Sequence, residues 1–201
     1  MQYGICNLGI VPMRYEADDK SELVSQMLYG EYFKVLEKRK KWSRIRISYD
    51  KYEAWVDNKQ YQEISEKNYK SLVNEQPLLS TDLLEYISDK NRNILTIPLG
   101  ATLNGLKLLN HSFEGNNQSV INDKTKLIKT AFLYLNSPYL WGGKTPFGID
   151  CSGFTQMVYR INGHKLRRDA SQQAKQGEAL SFIEESEPGD LAFFDNSEGN
   201  I

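Results

Sequence analysis

Asp150, Cys151, Ser152 and Gly153 are the stretch of this 201-residue sequence with the most pointed chemistry. Behind Cys151, apolar residues recur at Phe154, Met157, Val158 and Ile161. That i, i+3, i+4, i+7 stripe predicts a helix of about three turns. Asp150 is its expected N-cap and Gly163 its expected C-terminal stop. A thiol at a helix N-terminus meets unpaired N–H groups and the positive end of the macrodipole. Both favour the thiolate, the reactive form of cysteine. The same spacing also fits a buried structural cysteine, because free cysteines are commonly buried. Upstream, Trp141-Gly142-Gly143 and Pro146-Phe147-Gly148 read as a glycine-rich loop that lets backbone approach a ligand closely.

A thiol nucleophile needs a base, and the sequence holds two histidines, His111 and His164. His164 comes thirteen positions after Cys151, beyond the far end of the predicted helix. At 1.5 Å per residue that is roughly 20 Å away, whereas a base must stand within about 3 Å of its partner or one water further. His111 lies in a polar loop. Both are expected to be solvated surface residues.

The elements that must position Cys151 come next. Residues 1–62 are β-patterned: Arg44-Ile45-Arg46-Ile47-Ser48-Tyr49 alternates strictly, and Gly30-Glu31 and Asp50-Lys51 are turn signals. Residues 63–76 are polar and read as a connector. Residues 77–114 hold short apolar runs, with Pro98 arguing for an edge or broken strand. We expect a small barrel at 1–62, a second, degenerate one at 77–114, and a third unit from 115 to 201. Val120, Lys124, Leu127, Ile128, Ala131 and Leu135 give a helix face, and Asp190–Phe194 reads as a strand.

Net charge is −1, so no global attraction to nucleic acid is expected. The one basic run, Lys38-Arg39-Lys40-Lys41, could touch a polyanion but reads better as a solvated hairpin end. Two cysteines make no disulfide framework, and Cys6 reads as a small buried hydrophobe. No metal or cofactor is called for. No stretch of eighteen apolar residues is present, so no transmembrane helix is expected. Met1–Cys6 shows no signal-peptide pattern. That fits a cytoplasmic chain, or one of the cell envelope or periplasm whose leader was removed.

Three blocks sharpen the reading: Tyr139-Leu-Trp-Gly-Gly-Lys-Thr-Pro-Phe-Gly-Ile-Asp-Cys-Ser-Gly-Phe, then Arg168-Asp169-Ala170-Ser171-Gln172-Gln173, then Pro188-Gly189-Asp190-Leu191-Ala192-Phe193-Phe194. In order and spacing they resemble the NlpC/P60 cysteine peptidases, bacterial cell-wall hydrolases with a papain-like core. The resemblance implies Cys151 as nucleophile and Tyr139 as a donor at the oxyanion site. It implies Asp150, Ser152 and Trp141 as lining of the substrate pocket. The family's base is a histidine just after the Pro-Gly-Asp-Leu-x-Phe-Phe strand, and the sequence stops before one.

Val11-Pro12-Met13-Arg14, Glu22–Glu31, Trp42 and Tyr52-Glu53-Ala54-Trp55-Val56-Asp57 are similar to bacterial SH3-like domains. The expected fold class is therefore α+β, with small SH3-like barrels ahead of a partial papain-like domain. Barrels in that position resemble one subgroup, the γ-D-glutamyl-L-diamino-acid endopeptidases. These cleave murein peptides bearing a free N-terminal L-Ala, between γ-D-Glu and the diamino acid. The resemblance implies Asp169 and a barrel acid, here Glu22, as holders of the free amine, with Tyr52 adding a hydroxyl. The expected partner is an L-Ala-γ-D-Glu-diamino acid peptide, and the activity cysteine peptidase. The 201-residue chain by itself would be silent for want of the histidine. The alternative is a cell-wall peptide-binding protein without catalysis.

Overall fold

The computed structural model describes residues 1–119, 124–195, 197, 199 and 201. Val120 of the predicted helix face lies outside them. Seven strands open the chain: β1 (Gln2–Ile5), β2 (Ile10–Arg14), β3 (Leu23–Leu28), β4 (Tyr32–Lys38), β5 (Trp42–Ile47), β6 (Glu53–Asp57) and β7 (Gln62–Ile64). They form one antiparallel sheet in the order β3-β2-β6-β5-β4-β1-β7. Period-2 alternation sets which side chains enter the core. Along β5, Ser43, Ile45 and Ile47 are buried while Arg44 and Arg46 face water, where both pair with Glu53. The sheet curls around Met13, Met27, Phe33, Val35, Ile45, Val56 and the buried Cys6. Arg39, Lys40 and Lys41 are the exposed end of the β4–β5 hairpin.

The polar connector contains a helix that the sequence reading missed, α1 (Glu66–Asn74). The Ser65 hydroxyl caps it by accepting from the Asn68 N–H at 3.2 Å. Only Tyr69 and Leu72 turn inward, so the apolar stripe is too thin to stand out in a polar run. Next come β8 (Leu78–Ser80), β9 (Leu84–Asp89), β10 (Ile94–Pro98), α2 (Leu106–Leu109), β11 (His111–Phe113) and β12 (Asn117–Ser119). They make a three-stranded sheet, β10-β9-β11, and a pair, β12-β8. Pro98 ends an edge strand, where its missing N–H is harmless. His111 is not a solvated loop residue: it lies in β11, and its Nδ1 shares a 2.9 Å hydrogen bond with the Tyr29 hydroxyl.

The last part holds a 3₁₀ turn at Lys124–Lys126, α3 (Leu127–Phe132), a short hairpin of β13 (Lys144–Thr145) and β14 (Gly148–Ile149), α4 (Cys151–Ile161) and α5 (Ala170–Gln173). Asp190–Phe194 is not a strand here, and Phe194 is largely exposed. Among the described residues no neighbouring strand pairs with it, and a strand without a partner leaves its N–H and C=O groups unpaired.

The units share cores. Leu28 and Tyr29, adjacent at the end of β3, enter different ones. Leu28 packs with Leu79, Leu99, Met157 and Ile161, and Tyr29 with Leu72, Ile87, Ile97 and Leu103. Between them sits a buried carboxylate. Glu31 is 3% exposed, and its Oε2 accepts the Leu28 N–H at 2.8 Å. Its Oε1 is ion-paired with Arg160 near the end of α4, and lies 3.5 Å from Lys144 Nζ. Arg160 donates onward to Thr102 Oγ1 at 2.8 Å. Burial pushes the Glu31 carboxyl up, but Lys144 and Arg160 outweigh burial and hold it down at about 2. The unfolded value is near 4.3, so ionised Glu31 stabilises the fold fully above that pH. The contribution is lost as pH falls through the folded value.

Replacing Glu31 by Gln strands two buried cations and is expected to cost about 3–5 kcal/mol in urea unfolding at pH 7. The deficit relative to wild type should shrink between about pH 4.5 and pH 2. A deficit that stays constant over that range would mean Glu31 is not the titrating group.

Candidate active site

The sequence predicts a nucleophile at Cys151, and the structure places that thiol, exposed, on the first residue of α4. Asp150 caps the helix: its Oδ1 accepts the Gly153 N–H at 2.6 Å. Its Oδ2 accepts the Gly142 N–H at 2.9 Å, which folds the glycine loop back onto the helix start. Gly142 has φ +77°, and a Cβ there would stand 2.3 Å from the Leu23 carbonyl oxygen of β3. Only glycine allows that backbone and that approach. The loop is held at a second point, where the Gln26 side chain accepts the Lys144 N–H at 2.8 Å.

Asp150 and Ser152 are expected to line the pocket, but both point inward, at 7% and 9% exposed. The physical reason is Arg168, a fully buried cation that needs a counter-ion. Its Nη1 and Nη2 grip the Asp150 carboxylate at 3.0 and 2.6 Å. Nη1 also donates to Ser152 Oγ at 3.0 Å, and Nε to Ser25 Oγ of β3 at 3.0 Å. The Asp150 oxygens are thus saturated by protein donors.

Tyr139 and Trp141 stay largely exposed, at 68% and 61%. Burial raises the Tyr139 hydroxyl's pKa, and the Cys151 and Asp150 charges add to it. The Trp141 indole N–H donates to the Glu22 carboxylate at 2.6 Å, which fixes a barrel acid against the glycine loop. Across the site, Tyr52 and Asp169 are mutual neighbours. Burial raises the Asp169 pKa, partly offset by Arg168 and by the Tyr52 hydroxyl. The Tyr52 hydroxyl is raised by burial first and by Asp169 next. Two barrel residues named from sequence therefore meet the loop and turn that flank Cys151.

Neither histidine comes near. His164 follows α4, where its N–H bonds the Tyr159 carbonyl at 2.9 Å and its ring packs edge-on against Tyr159. It follows the far end of the eleven-residue helix that Cys151 begins, about 15 Å along the axis. His111 is engaged by Tyr29. Sequence reasoning missed Arg168, although the adjoining Asp169 had been singled out. A charge inside the second of the three sequence blocks gives no sign of whether it faces water or a buried acid. Among the described residues no group of three or more His, Cys, Asp or Glu could hold a metal ion, and no helix is long and apolar enough to cross a membrane.

Comparison with known proteins agrees with this layout. The NlpC/P60 family matches residues 136–201, and the bacterial dipeptidyl-peptidase SH3 domain matches residues 13–60. A γ-D-glutamyl-L-lysine dipeptidyl-peptidase of Bacillus subtilis is 44% identical over 73 residues, which are 36% of this chain and 24% of that protein. One of the same name from Bacillus cereus is 28% identical over 89% of this chain, and the chain spans 62% of its length. A crystal structure of an NlpC/P60 family protein from Bacillus cereus superposes with a TM-score of 0.80 at 19% identity, over 98% of this chain and 84% of that one. The chain therefore joins a bacterial SH3 domain to an NlpC/P60 domain, in an α+β fold with the small barrel ahead of the papain-like part.

Proposed function

We propose that this chain carries the nucleophile and the amine-binding end of a cysteine peptidase site. Its substrate would be a murein peptide with a free N-terminal L-Ala, cut between γ-D-Glu and a diamino acid. L-Lys is the first candidate for that acid, because the relatives' names specify it. The observation that carries the reading is the exposed Cys151 thiol at a capped helix start, behind a glycine loop whose Trp141 is bonded to the barrel acid Glu22.

The Cys151 sulfur would attack the γ-carbonyl carbon of D-Glu, forming a C–S bond and an oxyanion. The Tyr139 hydroxyl and the Cys151 N–H are the donors available to that oxyanion. As it collapses, the C–N bond breaks and the leaving amine takes up the proton that the thiol gave to a base. Water then hydrolyses the thioester, releasing L-Ala-γ-D-Glu and restoring the thiol. Asp169 and Glu22 would hold the substrate ammonium, with the Tyr52 hydroxyl beside Asp169. Neither His111 nor His164 stands beside Cys151: the His111 ring is bonded to Tyr29, and His164 follows the far end of α4.

A chloromethyl ketone of L-Ala-γ-D-Glu alkylates a thiolate without needing the missing base, so it tests the site directly. It should modify Cys151 and leave Cys6, whose thiol is buried and pushed far up by desolvation. N-acetylating the reagent removes the ammonium and should slow labelling by about a hundred- to several-thousand-fold, the rate equivalent of about 3–5 kcal/mol for a lost buried ion pair. Asp169→Asn should erase most of that preference. Equal rates for the two reagents in the wild-type chain would remove the amine pocket.

Turnover is a separate expectation. The 201-residue chain should process L-Ala-γ-D-Glu-L-Lys far below the rate of about 1 per second typical of slow enzymes, as read by mass spectrometry. Turnover at or above that rate would show that a base has been overlooked.

A further inference from the structure

Arg168 has no part in the mechanism above, yet among the described residues it is the largest fully buried side chain. Burying a guanidinium is costly unless its donors are used, and here they are, on partners from both halves of the chain. Nη1 and Nη2 clamp the two Asp150 oxygens, Nη1 also reaches Ser152, and Nε reaches Ser25 in the barrel. The clamped carboxylate is the helix cap directly before Cys151.

That position sets a conflict. Asp150 must be present to hold the Gly142 and Gly153 amides. A free carboxylate beside the thiol would disfavour the thiolate, since a like charge within a few ångströms opposes ionisation. A guanidinium pairs both oxygens at once and cancels the charge while leaving the cap in place.

We propose that Arg168 is a positioning residue that lets Asp150 cap the Cys151 helix without repelling the Cys151 thiolate, and that Ser25 of the barrel aims it. This rests on Cys151 being the nucleophile. Lysine cannot replace it, because one ammonium cannot span two carboxylate oxygens, Ser152 and Ser25 together. It follows that the barrel is part of the chemistry of the thiol, and not only a wall for the peptide.

The test is the pH profile of Cys151 carbamidomethylation by iodoacetamide. It is followed by mass spectrometry in the wild-type chain, Arg168→Gln, Arg168→Lys, Ser25→Ala and the double variant Asp150→Asn/Arg168→Gln, each checked for fold by circular dichroism. Arg168→Gln leaves Asp150 uncompensated. Its profile should move to higher pH by about one unit, a tenfold loss of rate at pH 7. Arg168→Lys should fall between Arg168→Gln and wild type, and Ser25→Ala should move in the same direction by less. The double variant removes the charge and the clamp together and should return towards the wild-type profile even where its melting temperature stays low. A merely structural Arg168 would lower melting temperature and leave the profile where it was.

Superimposed profiles for folded Arg168→Gln and wild type would overturn the proposal. So would a double variant displaced as far as the single. If Arg168→Gln does not fold, Ser25→Ala and the double variant decide by the same criteria. Loss of the substrate-based labelling of Cys151 would instead count against the peptidase reading, and it leaves the iodoacetamide profile readable.

Discussion

The buried carboxylate of Glu31 is the constraint on which the arrangement turns. It leaves the barrel at the tight turn after β3 and meets cations from the loop before Cys151 and from the end of the Cys151 helix. Salt bridges this far from water are not cheap sources of stability, because desolvation offsets most of the attraction. What such a group supplies is geometry: a charge that must be matched permits few alternative dockings. Arg160 reaches Thr102 in the same network, so three parts of the chain are brought to one point. The apolar contacts of Leu28 and Tyr29 on either side supply the bulk of the attraction.

A second joint runs along the same interface nearer the thiol. Asp50 at the barrel's β5–β6 turn accepts from Gln156 of α4 at 3.0 Å, and its carbonyl accepts from Arg167 at 2.8 Å. Ser25, Gln26 and the Leu23 carbonyl shape the glycine loop from below. The helix bearing Cys151 is thus located from the barrel at both ends. This accounts for the meeting of Glu22 with Trp141 and of Tyr52 with Asp169: residues more than a hundred positions apart cannot be placed by local structure.

Much of this was legible in the sequence, because local rules govern it. The α4 stripe, its aspartate cap and its glycine stop depend on neighbours within a few positions, and they came out as read. So did the buried Cys6 and the edge position of Pro98. The rest depended on distant partners. Glu31 follows a glycine turn and looks like any solvated turn residue until Arg160 and Lys144 are brought to it. Asp150 and Ser152 were expected to face the peptide, and turned inward because Arg168 claimed them. α1 hides in a polar run because it buries only two side chains. Asp190–Phe194 has strand composition but finds no partner among the described residues.

The bond from Arg168 to Ser25 spans 143 positions, and that from Trp141 to Glu22 spans 119. Contacts of such separation close long loops, whose chain entropy the docked surfaces must offset. The clamp on Asp150 and the loop before Cys151 thus take their shape from barrel residues that local structure cannot bring to them.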